Sequence, residues 1–423
     1  MTYKEMPVEE RKALLTQLRG DYAMFQSRGL KLDMSRGKPC TEQLDICMEL
    51  LDSELITEDV KDSSGFDCRN YGVPFGVPEA RALFAELLGV SAENVVVFGN
   101  SSLNVMYDLI SQFWTHGTGG SAKPWSQQRA VKFLCPVPGY DRHFAILQHF
   151  GIDMINVPMT EEGPDIAALT ELVADPAVKG MFCVPKYSNP TGITFSDENL
   201  RAIAALSPAA QDFRVIWDNA YCVHDLRQQG ENLLSILEEA KKTGHEDYFI
   251  EVVSTSKISF AGAGISAIAA SKNNLAAIQG RIAMQTIGHD KINQLRHVRY
   301  FKNADGIRRH MQKHRAILEP KFDAVLHCLE RNLAGLGIAS WTKPAGGYFI
   351  SFDVPKNCAK KVCEMCKDAG VVLTPAGATY PKGIDPNDSN LRIAPTFPPN
   401  DELETAAELL CLCTKIVALE ELR

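Results

Sequence analysis

Short apolar runs rich in β-branched and aromatic residues recur at 95–98, 131–135, 152–157, 180–184, 215–217, 248–253 and 266–270, most of them separated by stretches with helical periodicity. Runs this short, apolar at successive rather than alternate positions, read as strands buried on both faces. Strands that alternate with helices run mostly parallel, because a parallel connection must cross the sheet and a helix is the usual crossing. The fold expected is therefore α/β, a mainly parallel sheet with helices on both faces. The rhythm changes after about residue 290. A long, basic helical stretch over 290–330 leads to apolar runs within 346–352, 371–373 and 391–393 and helical patterns over 357–369 and 401–422, the signature of a smaller α+β domain.

A chain of 423 residues can bury one large core and one smaller core. The division expected is 1–50 as an N-terminal arm and part of the small domain, 51–320 as the large ligand-binding domain and 321–423 as the small C-terminal domain. Within these, 1–30 reads as a charged amphipathic helix with Leu14, Leu15 and Leu18 on one side, 41–60 as helical and the Gly/Ser-rich 117–126 as a surface insertion. The net charge of −8 argues against nucleic acid or an anionic membrane as partner. No apolar run approaches the roughly 18 residues of a membrane helix, and the opening MTYKEMPVEERKALL lacks the apolar core of a signal peptide, so the cytoplasm is the expected location. The 12 cysteines include one CxxC, Cys363 and Cys366, while Cys411 and Cys413 are spaced differently. That set is expected to be reduced thiols, with no metal site.

Lys257 follows the run 248–253 by a few residues, in Ser254-Thr255-Ser256-Lys257. This places it just past a strand's carboxyl end, where open α/β sheets form their ligand crevice. A partly desolvated amine there loses proton affinity and becomes a nucleophile toward carbonyls. Small residues after it, Ala261-Gly262-Ala263-Gly264, leave room for a flat ligand. The reading is that Lys257 carries pyridoxal 5'-phosphate (PLP) as a Schiff base.

Loops at other strand ends supply what that cofactor needs. A carboxylate must keep its pyridine nitrogen protonated, and Asp218 at the end of 215–217 suits that role. Asn189 and Tyr221 can donate to its phenolic oxygen, and Tyr140 can stack on its ring. Gly99-Asn100-Ser101-Ser102 opens a helix and offers a phosphate seat, with Ser254 and Ser256 as further hydroxyl donors. Each residue also has a plainer role: Ser101 as a helix cap, Asp218 as a cap, Asn189-Pro190 as a turn, Tyr140 and Tyr221 as packing. Jointly, at the ends of neighbouring strands, the plainer roles become improbable.

The motifs N189-P190-T191-G192, D218-N219-A220-Y221, S254-T255-S256-K257, G346-G347-Y348-F349 and L391-R392-I393-A394 make the chain resemble a class I aminotransferase of PLP fold type I. The segments S-R-G-K-P and C-P-V-P-G-Y-D-R-H-F are similar to a divergent bacterial subgroup of aspartate aminotransferases. The resemblance implies that Arg392 clamps the substrate α-carboxylate, helped by Asn189 and the Gly37 backbone. It also implies that Tyr71 reaches the phosphate in a neighbouring subunit, so that the active form is a homodimer with shared sites. One departure stands out. Relatives carry a phosphate-binding arginine seven or eight residues past the lysine, where this chain has Gly264 and Ile265.

The function expected is ping-pong amino transfer between aspartate or glutamate and 2-oxo acids such as 2-oxoglutarate and oxaloacetate. A dicarboxylate needs a second cation, and Arg142, two residues past Tyr140, is the favoured reader, with Arg36 next and Lys38 nearby. Alternatives are a transaminase for aromatic amino acids or aminoadipate, and a PLP-dependent carbon–sulfur lyase. A serine-hydrolase reading of SxxK, with Ser254 as nucleophile, is disfavoured because Lys242-Thr243-Gly244 precedes the motif and no SDN element occurs. A PLP-dependent transcriptional regulator needs a DNA-binding domain, for which about 30 residues before the catalytic fold are too few.

Overall fold

The computed structural model describes residues 2–57, 59–119 and 123–422. An eight-stranded sheet lies at its centre, in the order Val95–Phe98, Ser266–Ala270, Phe249–Ser254, Arg214–Asp218, Val178–Cys183, Lys132–Val137, Asp153–Thr160 and Gly163–Pro164. From Phe249–Ser254 through Asp153–Thr160 every pairing is parallel. Ser266–Ala270 runs antiparallel to both neighbours. The reason is local: between Ser254 and Ser266 the chain makes only turns, with no helix to carry it back across the sheet.

Val95–Phe98, Ser266–Ala270, Phe249–Ser254, Arg214–Asp218 and Val178–Cys183 are buried at every position, because helices cover both faces, whereas Asp153–Thr160 near the far edge is largely exposed or half-buried. Alternate residues feed two cores: Val95, Val97, Val215 and Trp217 pack on one side, and Val96, Phe98, Ile216 and Ile250 on the other. A third core joins the two ends of the chain. Leu15 and Leu18 of the helix Val8–Ser27 pack there with Phe322, Phe352, Ile393 and Leu409. Leu32–Met34 pairs in parallel with Val371–Leu373, and Ile350–Asp353 pairs antiparallel with Asn390–Ile393.

Three local expectations are corrected. Residues 41–60 are not one helix; they form short pieces at Thr41–Asp45, Met48–Leu51 and Glu54–Thr57. Two of the pieces start on a local cap: Gln43 Oε1 accepts from the Cys40 N–H at 3.2 Å at the head of Thr41–Asp45, and Asp52 Oδ1 from the Glu54 N–H at 3.1 Å at the head of Glu54–Thr57. The long helical stretch breaks between Lys291–Phe301 and Ala304–Leu333, where Lys302 takes φ 67° and Asn303 caps the second helix by accepting from the Gly306 N–H at 2.9 Å. The insertion at 117–126 is not all surface. Its residues 120–122 lie outside the described residues, but Trp125 is fully buried, 5.1 Å from the Phe113 ring, with its Nε1–H donated to Asp212 at 3.2 Å.

Candidate active site

Parallel strands bring Val137, Cys183, Asp218 and Ser254 to one edge of the sheet, and the loops that follow them open into a cavity of about 740 Å³. Its sheet-side wall holds Lys257, Asp218, Tyr221, Asn189, Tyr140 and Ser102. Arg36, Gly37 and Lys38 line it from the N-terminal segment, Arg142 from the start of helix Asp141–His149, and Arg392 and Thr374 from the C-terminal part. Residues far apart in sequence therefore converge on one chamber, as the motif reading expected.

Lys257 is enclosed, with Nζ 4.9 Å from the centre of the Tyr221 ring and 5.8 Å from that of Tyr348. Burial lowers the amine's proton affinity, and the nearby Asp218 offsets part of that effect. Tyr221 is buried too, and desolvation raises its hydroxyl well above the usual phenol range, so it remains a donor at neutral pH. Asp218 ends its strand in register with Val252, and its Oδ2 accepts a hydrogen bond from His143 Nε2 at 3.0 Å. Its other oxygen, Oδ1, is buried and has no protein partner. A buried carboxylate oxygen without a donor is costly, and an N–H supplied by a bound ring would satisfy it. This orphan, facing a chamber that holds an enclosed lysine, fits the group inferred from the motifs.

His143 was not anticipated. It sits in the first turn of helix Asp141–His149, its ring 4.9 Å from that of Tyr140, the residue that precedes the helix, and stacked on Phe182 at 4.3 Å and 12°. The i,i+3 spacing from Tyr140 was the available signal.

Where relatives carry a phosphate-binding arginine, the structure has no room for a long side chain. A Cβ on Gly264 would meet Thr255 Oγ1 at 2.9 Å, and the Gly264 N–H donates to Asn100 Oδ1 at 2.6 Å. Hydroxyls cluster nearby instead: Ser254 Oγ lies 3.1 Å from Ser256 Oγ and 3.4 Å from Ser102 Oγ, and Ser256 Oγ donates to the Asn100 carbonyl at 3.3 Å. They stand at the amino end of helix Ser102–His116, where free N–H groups favour an anion. Ser101 takes the capping role, its Oγ accepting from the Leu103 N–H at 3.2 Å.

Arg392 is 7% exposed at its side chain. Its Nη1 donates to Asp141 Oδ1 at 2.9 Å and to Asn189 Oδ1 at 3.2 Å, and its guanidinium lies 4.7 Å over the Phe349 ring. The same ring explains Gly37, since a Cβ there would fall 2.4 Å from it. Asp141, the sequence neighbour of Arg142, bonds Arg392. Arg142, Arg36 and Lys38 are exposed at the rim, with Lys38 Nζ 3.7 Å over the Phe397 ring. Tyr71 is 77% exposed and does not line the cavity of its own chain.

Behind Lys257 lies a buried polar chain that the motif reading missed. Gln43 Nε2 donates to Tyr348 Oη at 3.0 Å and to His314 Nδ1 at 2.8 Å; His314 Nε2 and His310 Nε2 lie 3.1 Å apart; and His310 Nδ1 lies 3.3 Å from Tyr300 Oη. Burial holds His310 to about 4 and His314 to about 3, so both are neutral at pH 7. With Cys47 they bring ligand-type atoms within 4.8 Å of one another. Their separation of four residues on one helix, with a cysteine in the N-terminal segment, was too sparse a pattern to find. The cysteines are all free thiols, and Cys363 of the CxxC donates to the Thr374 carbonyl at 3.4 Å.

With this geometry established, comparison with known proteins gives a consistent outcome. A sequence profile of the aspartate amino-transferase family matches residues 6–423. An aspartate aminotransferase of Corynebacterium glutamicum is 47% identical over 396 residues, covering 94% of this chain and 91% of that one. The crystal structure of an aspartate transaminase from C. glutamicum superposes with a TM-score of 0.98 at 44% identity, covering 100% of both chains. That of a putative aminotransferase from Corynebacterium diphtheriae superposes with a TM-score of 0.94 at 47% identity, covering 96% of this chain and 100% of the other. The parallel sheet, the lysine past its edge and the matched length converge on one conclusion: this chain is an aminotransferase and belongs to the aspartate amino-transferase family.

Proposed function

We propose that the enzyme uses PLP to move the amino group of aspartate or glutamate to a 2-oxo acid, and runs the reverse half-reaction on a second 2-oxo acid. The observation that carries this is the enclosed Lys257 amine in one chamber with the unpartnered Asp218 Oδ1 and the Arg392 guanidinium. When bound, PLP supplies an electron sink for the pair left as the substrate Cα proton departs.

The chain's own residues supply the rest. Asp218, held by His143, is the carboxylate that would keep the ring nitrogen protonated, a fixed negative charge opposite the charge that develops. Asn189 and Tyr221 donate toward the ring oxygen, and Tyr140 provides a flat face. Ser102, Ser254, Ser256 and the helix amino end take the phosphate in place of an arginine. Lys257 holds the cofactor and then, with its proton affinity reduced by burial, takes the substrate Cα proton on Nζ and returns it as an acid. Arg392 receives the α-carboxylate and Arg142 the distal carboxylate. Tyr71, outside its own cavity, serves the site of a second copy in a homodimer. Residues 51–320 act as the PLP-binding domain, and 1–50 with 321–423 as the smaller unit. Among the described residues no helix is long and apolar enough to cross a membrane; the reading adopted is a cytoplasmic enzyme.

The test is a panel of amino donors against 2-oxoglutarate with purified protein. Aspartate and glutamate should lead. A lead by aromatic donors or aminoadipate would transfer the reading to those substrates, and pyruvate release from cystathionine would replace it with the lyase. Borohydride should bleach the visible band and leave a pyridoxyl mark on the peptide containing Lys257. A mark on another lysine would end the assignment.

A further inference from the structure

A carboxylate of the protein already occupies the guanidinium assigned to the substrate. Arg392 Nη1 has two hydrogens, and both are taken: one by Asp141 Oδ1 at 2.9 Å, the other by Asn189 Oδ1 at 3.2 Å. Nε faces Thr374 Oγ1 at 3.4 Å, a longer contact. A carboxylate grips a guanidinium best through two parallel N–H bonds. At the Nη1–Nη2 end that grip needs an Nη1 hydrogen back, and Asp141 is the partner able to give it up. Its side chain is 36% exposed where that of Arg392 is 7% exposed, so water can receive the displaced carboxylate. Asn189 is buried and holds its place.

We infer that the substrate α-carboxylate takes the Nη1–Nη2 end of Arg392 and that Asp141 is its internal competitor there: it occupies Nη1 in the resting enzyme, leaves when substrate binds, and thereby raises KM for every donor. The inference rests on the proposed role of Arg392. A plainer function, an acidic residue in the first turn of helix Asp141–His149, accounts for the residue type at that position but not for its bond to a guanidinium 251 residues away. An orienting function, in which Asp141 stays bound and steers the guanidinium, makes the opposite prediction. Losing an orienter weakens substrate binding; losing a competitor strengthens it. If the pair leaves Arg392 available for only a fraction of the time, apparent affinity is reduced by that fraction.

The experiment uses PLP-loaded wild-type enzyme and Asp141→Asn, with Asp141→Ala as a second variant in case the amide makes a bond of its own. Maleate, a non-reacting dicarboxylate, is titrated by calorimetry, and KM and kcat are measured with the donor the enzyme turns over best. Maleate Kd and KM are expected to fall about three- to tenfold in both variants, with kcat changed less than KM. Unchanged or raised KM and Kd would overturn the inference. Arg392→Gln serves as the control: if it weakens maleate while the Asp141 variants change nothing, only the competitor idea fails. If Arg392→Gln binds maleate as well as wild type does, the Arg392 assignment fails and takes the competitor with it.

Discussion

The two walls of the cavity are built on different principles. On the sheet side, Asp218 is in strand register, braced by His143, which is itself stacked on Phe182, and Lys257 is enclosed by aromatic rings. On the other side, Arg36, Lys38 and Arg142 stand exposed at the rim, and Arg392 is held by an ion pair that a ligand can exchange. The first wall presents fixed charges and dipoles, which act without reorganising. The second presents cations able to change partners. Under the proposed function, the rigid wall carries the chemistry and the exchangeable one the choice of substrate.

The largest effect should come from breaking the rigid wall. Asp218→Asn keeps the shape but removes the charge, and kcat should fall by roughly three orders of magnitude while the folded state survives. Far-UV circular dichroism together with stopped-flow half-reactions would check both halves. Near-normal turnover would mean that another acid serves the ring nitrogen, and that the division between walls is drawn in the wrong place.

A smaller, selective effect is expected at the other wall. Arg142→Leu should lower kcat/KM for aspartate and glutamate by about 2 kcal/mol, the low end for a charge contact because Arg142 is exposed, and spare aliphatic or aromatic donors. A uniform fall across donors would make Arg142 a structural residue and Arg36 the next reader to examine.

The smallest effect sharpens the comparison from behind the rigid wall. Glu251 is buried beside Asn219, which donates to its Oε1 at 2.8 Å, and desolvation raises its carboxyl from 4.5 to about 7. Between those values the folded chain holds a proton that the unfolded chain has released. Stability from this group is therefore fully present below about 4.5 and is lost as pH rises through about 7. Glu251→Gln removes the loss, and should gain about 1–2 kcal/mol above pH 7 and little near pH 4.5. The gain is set below the full shift because Glu251 borders a polar cavity of about 450 Å³, whose lining screens its charge. Urea titrations at pH 5 and pH 8 would show it, and equal gains at both would place the cause in packing.

The sheet was legible because most core strands carry their own signal, a mainly apolar run such as Val215-Ile216-Trp217, and burial on both faces demands nothing from distant sequence. Lys257, Asp218 and Asn189 were legible for the same reason, each following such a run closely. The helix pieces across 41–57 were not, because where they start depends on local caps such as that of Gln43 on the Cys40 backbone, which periodicity does not encode. Nor was the turn from Ser254 to Ser266 read as reversing the strand direction, since an apolar run looks alike in either sense.

By itself, then, the order of residues determined which segments become strands, that they lie mostly parallel, and that an amine and a carboxylate follow at their carboxyl ends. These are properties of neighbours along the chain, set by local sterics and by the rule that connects parallel strands. Only the tertiary structure decided who meets whom across the chamber. His143 reaches Asp218 across 75 residues and Asp141 reaches Arg392 across 251. Hydrogen bonds and ion pairs form on distance in space, and several carboxylates near a guanidinium in sequence or type are equivalent until packing brings one of them to 2.9 Å.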